Sequence, residues 1–182
     1  MIDSREATEA LAEIDDMVRR VRQSRIYELA SQLMVMWGAL VFAGYLLTWL
    51  APRYAGIGWI AVYVIGLAGW AAFSAINRPT SGVRSFDLKF LLAFAMFLAF
   101  GIFCCWLGRF DPRQLSAFWP VYFMLFYSIA GLWFGYAFIA IGLAVIALTL
   151  AGYFWIGGAF DLWMAFVNGG GLILGGLWMR RS

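Results

Sequence analysis

Histidine is missing from the 182-residue sequence. Without an imidazole, acid–base catalysis by histidine, His-ligated zinc and haem held by histidine are all excluded. Cysteine is nearly as scarce, and the two present, Cys104 and Cys105, are neighbours, so no disulfide framework can be drawn. Adjacent residues point about 100° apart on a helix, no CxxC spacing exists, and apolar surroundings leave a thiol inert, so the pair reads as structural. Charge is also thin, at 13% of residues against about a quarter in a soluble chain. What fills the space is apolar: 64% hydrophobic, 19% aromatic, mean hydropathy +0.83. An ordinary soluble domain is excluded. This is the composition of an integral membrane protein.

The few charges are concentrated. Residues 1–28 hold twelve of them, acids and bases together, with no small-residue cleavage site after the next apolar run. This front end does not read as a signal peptide. Beyond it, runs long enough to cross about 30 Å of hydrocarbon recur. Spans are expected at about 31–50, 55–76, 90–107, 118–135, 138–157 and 162–179, which makes six. The early breaks carry prolines and charges. From Gln114 to Met179 only Asp161 is charged, so the last three spans must be joined by very tight turns. Pro120 is expected in a first helical turn, where the missing N–H is tolerated. Trp49, Trp106, Trp119, Trp155, Trp163 and Trp178 fall near span ends, where indoles favour the interface.

Ten basic residues fall on one side of this topology and three on the other. The positive-inside rule then puts both termini in the cytoplasm, as an even number of spans requires. That asymmetry accounts for the net charge of +3, and no direct nucleic-acid partner is needed.

The chain divides into a cytoplasmic amphipathic helix, residues 1–29, and a six-span domain, residues 30–182. Asp3-Ser-Arg-Glu6 reads as a capped helix start. Leu11, Ile14, Val18 and Val21 follow at helical spacing as a narrow apolar stripe. Two heptads make no stable coiled coil alone, so something must cover the stripe. It lies on the bilayer or on the protein's own loops, or it docks a cytosolic partner or a second copy. The acidic first half (Glu6, Glu9, Glu13, Asp15, Asp16) and basic second half (Arg19, Arg20, Arg22, Arg25) suit a helix standing off the membrane and anchored at its end.

Within the membrane the candidates are polar or glycine-rich. Asn168 precedes Gly169, Gly170 and Gly171, and Gly171 to Gly175 has the GxxxG spacing of close helix contacts. Gly131 and Gly135 repeat it. These are candidates for helix packing, with Asn168 bonded to a neighbouring helix, or for an unwound stretch whose carbonyls line a solute site. Hydroxyls at Tyr122, Tyr127, Ser128, Tyr136, Thr149 and Tyr153 could line a pore or bond helix carbonyls. Asp161 is expected in an outer turn, so transport through a buried carboxylate is disfavoured. No catalytic residues, cofactor or metal site are expected, and the reading is non-enzymatic.

Three stretches, Glu13-Ile-Asp-Asp-Met-Val-Arg-Arg20 through Ser31, Ala117-Phe-Trp-Pro-Val-Tyr-Phe-Met124, and Val167-Asn-Gly-Gly-Gly-Leu-Ile-Leu-Gly-Gly-Leu-Trp-Met-Arg180, resemble an uncharacterised family of small bacterial inner-membrane proteins. Its members have six spans and an N-terminal cytoplasmic helix. The resemblance implies an inner-membrane location and, since such genes often sit beside winged-helix regulators, a sensory or regulatory role with a cytosolic partner. It implies no activity and no site residues. The expectation is therefore an all-α six-helix membrane bundle that couples to a cytosolic regulatory protein through its front helix. Homo-oligomerisation through the two GxxxG faces is compatible with this. The rival is an oligomeric channel or carrier for a small uncharged solute.

Overall fold

The computed structural model describes residues 4–76 and 88–180. Side chains are described from Tyr27 onward, apart from 76 and 88–91, and before it at Glu13, Ile14 and Met17. Helix α1 runs unbroken over Ser4–Leu50, and a short 3₁₀ turn, Pro52–Tyr54, leads into α2, Ala55–Ile76. Helices α3 (Leu88–Gly108), α4 (Pro112–Phe134) and α5 (Tyr136–Trp155) follow. A last rod, Phe160–Met179, consists of α6 (Phe160–Met164), a π-helical turn (Ala165–Gly170) and α7 (Gly171–Met179). Five stretches are long and apolar enough to cross a membrane: Tyr27–Leu50, Pro52–Ala75, Pro112–Phe134, Tyr136–Trp155 and Phe160–Met179. α3 is the sixth helix of the bundle, with a shorter apolar run at Leu92–Gly108. The protein is an all-α membrane bundle.

One boundary differs from the sequence reading in an instructive way. α4 begins at Pro112, six residues before the expected start. Asp111 Oδ1 accepts from the Gln114 N–H (2.8 Å), and Gln114 Oε1 accepts from the Asp111 N–H (2.9 Å). With Pro112 at the first helical position this is a complete capping box. Pro120 consequently lies well inside α4 and not in its first turn. The expected break between α4 and α5 is real and very tight: Gly135 alone separates them, at φ 127°, a conformation that only glycine adopts easily. It is thus a turn residue and not the second half of a packing pair.

Lipid offers little hydrophobic drive for helices to associate, so close packing of small residues must hold the bundle together. α1 lies against the last rod with Ser31, Gly38 and Tyr45 recurring at seven-residue spacing along the contact. A methyl on Gly38 would lie 2.8 Å from the Gly169 carbonyl oxygen, and one on Gly169 would lie 2.6 Å from Phe42 Cα. At the other end Ser31 donates its hydroxyl to the Gly176 carbonyl at 2.6 Å. The opposite face of the rod meets α5, with Gly171 against Val145 and Gly175 against Ile141. α4 and α5 pair through Gly131 against Ile139 and Gly142 against Ser128. Gly131, Gly171 and Gly175, candidates for packing within the bundle or between subunits, thus make contacts within one chain.

α2 and α3 are more peripheral. Trp37 lies over Gly66 and Trp59 over Gly44, seating α2 on α1. On α3, Phe97 stacks on Tyr122 of α4 with ring centroids 4.1 Å apart, and the Tyr122 hydroxyl donates to the Phe97 carbonyl. Trp49, Trp106, Trp155 and Trp178 are exposed, as interfacial indoles should be. Trp119 and Trp163 are instead half-buried on Gly101 and Gly152, spent on packing. Cys104 and Cys105 are free thiols and half-buried.

Gly169→Ala should lower bundle stability by about 1–3 kcal/mol, because the new methyl meets backbone that cannot swing aside. Gly170→Ala, with open space at the same point, should be neutral or slightly stabilising. Thermal unfolding of the two variants side by side decides this, and equal losses would count against it.

Candidate functional site

Proline has no backbone N–H, so within a helix it leaves the carbonyl four residues earlier without its partner. In α4 that carbonyl belongs to Ser116, and in a bilayer no water is at hand to satisfy it. The Tyr45 hydroxyl of α1 donates to the Ser116 oxygen at 2.8 Å. Tyr45 is only 2% exposed and packs with Ala117, Phe160, Met164 and Ala165, so the phenol is delivered from one helix to the defect in another. Trp59 meets its ring edge-on at 4.9 Å.

Because the Tyr45 proton is committed to Ser116, its oxygen can only accept from any further neighbour. The neighbour is Asn168, in the π turn. The Asn168 side chain lies beside that hydroxyl, and its Oδ1 is buried with no hydrogen-bond partner. Thr149 Oγ1 is in the same condition, on a residue with no exposure at all. The register of α5 against the rod, Gly175 with Ile141 and Gly171 with Val145, puts Thr149 level with Val167 and Asn168. Thr149 is also one turn from Val145, on the face that meets the rod.

A third free oxygen lies towards the end of the rod. Asp161, in the first turn of α6, is half-buried, and its Oδ1 is buried without a partner. Its charge is close enough to act on Tyr45. The outer-turn placement expected for this acid is thus incomplete, since the carboxylate reaches inward. Arg113 does not pair with it. The Arg113 guanidinium donates to the carbonyls of Tyr153 (2.7 Å), Ile156 and Gly157 (3.5 Å), closing the C-terminal end of α5. It also lies over the rings of Tyr153 and Phe160, 5.4 and 5.1 Å from their centroids. A cation at a helix C-terminus is favoured by the helix dipole.

The structure separates the sequence candidates. Asn168 is buried beside α1, while Gly169, Gly171 and Gly175 form contacts and Gly170 faces open space. The stretch is neither plain α-helix nor unwound. It is a π turn, a feature frequent at functional sites. Of the hydroxyls, Tyr127 donates to Met34 Sδ (2.7 Å) and Ser128 to the Met124 carbonyl four residues back (2.8 Å). Tyr136 is exposed beside Trp178. On the front helix Ile14 is 55% exposed, and the side chains of Leu11, Val18 and Val21 lie outside the described ones, as does Asp3 of the expected cap. Tyr45, Ser116, Pro120 and Arg113 were not anticipated. A capping box at Asp111 would have moved Pro120 into the helix interior, and the seven-residue spacing of Ser31, Gly38 and Tyr45 marks one face. Among the described residues no three acidic or cysteine side chains gather as metal ligands.

Comparisons with protein-family models, with curated proteins and with solved structures give no match, so the site is read from its own geometry.

Tyr45→Phe should cost about 1–3 kcal/mol by leaving the Ser116 carbonyl unpaired. Pro120→Ala returns an N–H to that carbonyl, so Tyr45→Phe should cost clearly less in that background. A double-mutant cycle read by thermal unfolding measures the coupling, and additive effects would contradict it.

Proposed function

We propose that the protein is a non-enzymatic sensory or regulatory component of a bacterial inner membrane, coupling its bundle to a cytosolic regulatory protein through the N-terminal helix. The observation that carries this is the continuity of α1 over Ser4–Leu50. At 1.5 Å per residue the helix is about 70 Å long, against about 30 Å of hydrocarbon. Its apolar part begins at Tyr27, so about 35 Å of helix precedes the membrane. The same rod carries the stripe of Leu11, Ile14, Val18 and Val21 at one end and Tyr45, against Ser116 and Asn168, at the other. A partner gripping the first half would thus act on the bundle without an intervening hinge. Exposed Ile14 and Met17 on that half support a docking face. The placement of both termini in the cytoplasm draws on the distribution of basic residues.

The rival reading, an oligomeric channel or carrier for a small uncharged solute, draws on the free oxygens of Asn168 and Thr149. Against it, Tyr122, Tyr127 and Ser128, three hydroxyls suited to lining a pore, are engaged inside the bundle. Flux of such a solute in proteoliposomes above that of empty vesicles would favour it.

Leu11→Asp combined with Val18→Asp should release the cytosolic partner while leaving the thermal unfolding of the bundle unchanged. Cross-linking in intact cells followed by identification of the captured proteins reads the outcome. An identical set of captured cytosolic proteins before and after substitution would sink the docking reading.

A further inference from the structure

We propose that the junction of α1, α4, α5 and the π turn is a binding site for a monovalent alkali cation, sodium or potassium. The site rests on no assumption about docking. It follows from what the buried side chains leave unpaired.

Pro120 strips the Ser116 carbonyl of its donor, and Tyr45 supplies its proton there at 2.8 Å. Asn168 neighbours Tyr45, and its Oδ1 is free, on a side chain 7% exposed. Thr149 Oγ1, at 0% exposure, lies at the same level of the bundle and is also free. An unpaired polar atom in an apolar interior is costly, and two at one level of one junction mark a missing partner. Every free buried atom here, Asp161 Oδ1 included, is an oxygen. Asn168 Oδ1 and Asp161 Oδ1 can only accept, and the Thr149 hydroxyl oxygen offers lone pairs beside its own proton, so all three can ligate a cation.

The charge sets the class of ion. Asp161 is the acid of this region and brings one negative charge, which a monovalent ion balances and a divalent ion would exceed. An oxygen-only set suits a hard cation and disfavours transition metals, which prefer nitrogen or sulfur. Asn168 sits in the π turn, where helix geometry departs from α, and carbonyls at broken membrane helices are recurrent ligands for sodium. Arg113 does not compete for the acceptors, because it is held on the last carbonyls of α5. Asn168 and Thr149 are therefore the ligands and Asp161 the counter-charge, seven residues before Asn168 on the rod.

Thermal unfolding of the full-length protein in chloride solutions of sodium, potassium and choline, at constant ionic strength, tests this. One alkali cation should raise the midpoint over choline by roughly 3–6 °C at tenfold excess over its dissociation constant, and further with the logarithm of its concentration. Thr149→Val, which keeps the shape and removes the free oxygen, and Asn168→Leu should each abolish the increment. Asp161→Asn should displace the same rise to several-fold higher cation concentration. If Asn168→Leu does not fold, Thr149→Val alone decides. Equal midpoints in all three salts overturn the proposal, and so does an increment that persists undiminished in Thr149→Val.

Discussion

A bilayer gives a backbone carbonyl nothing to bond with except the protein itself, and Pro120 frees one such carbonyl, that of Ser116, in the second turn of α4. The fold around it is organised by how that group is satisfied. Tyr45 must come from α1, at the right height and rotation, to reach Ser116. For α1 to approach that closely, Gly38 and Gly169 must lack side chains, because methyls there would sit within 3 Å of the facing backbone. Asn168 of the π turn lies beside the Tyr45 hydroxyl, with its own Oδ1 buried and unpaired. A missing hydrogen on one helix is thereby met by a side chain of a second.

The same logic explains why glycine is so frequent in this chain and why it is concentrated where it is. With lipid on all sides, apolar burial distinguishes poorly between helix and solvent tails, so contact distance decides. The rod uses alternate glycines on two faces: Gly169 and Gly176 admit α1, while Gly171 and Gly175 admit α5. Gly170 belongs to neither contact. Large aromatics do the complementary work at the periphery, where Trp37, Trp59, Trp119 and Trp163 lie over Gly66, Gly44, Gly101 and Gly152.

Composition and run length made the membrane class, the all-α bundle and the break at Gly135 legible from the sequence, since each follows from hydrophobic length or from one conformationally special residue. The start of α4 was equally readable in Asp111, Pro112 and Gln114, but the hydrophobic run beginning at Phe118 outweighed it. That slip hid Pro120 and with it the centre of the site. Tyr45 was beyond reach for a different reason. A tyrosine in an apolar span is ordinary, and only the pairing of helices far apart in sequence shows which carbonyl it meets. The π turn is also tertiary in origin: a run of glycines permits it, while contact with α1 on one side and α5 on the other shapes it.

Helix α1 joins these two levels. It has no break between its charged beginning and Tyr45, so a twist at the first half is carried to the phenol as rotation about the helix axis. Rotation by even one residue turns a side chain through about 100°, which would take the Tyr45 hydroxyl off the Ser116 carbonyl and expose that orphan again. The cost of doing so, about 1–3 kcal/mol for the unpaired carbonyl, holds α1 in register unless something replaces the bond. The element with room to respond is the π turn, where Gly170 has no neighbour to collide with and Asn168 already carries an unused acceptor. Any rotation of α1 would therefore reach the π turn through Tyr45 and its neighbour Asn168.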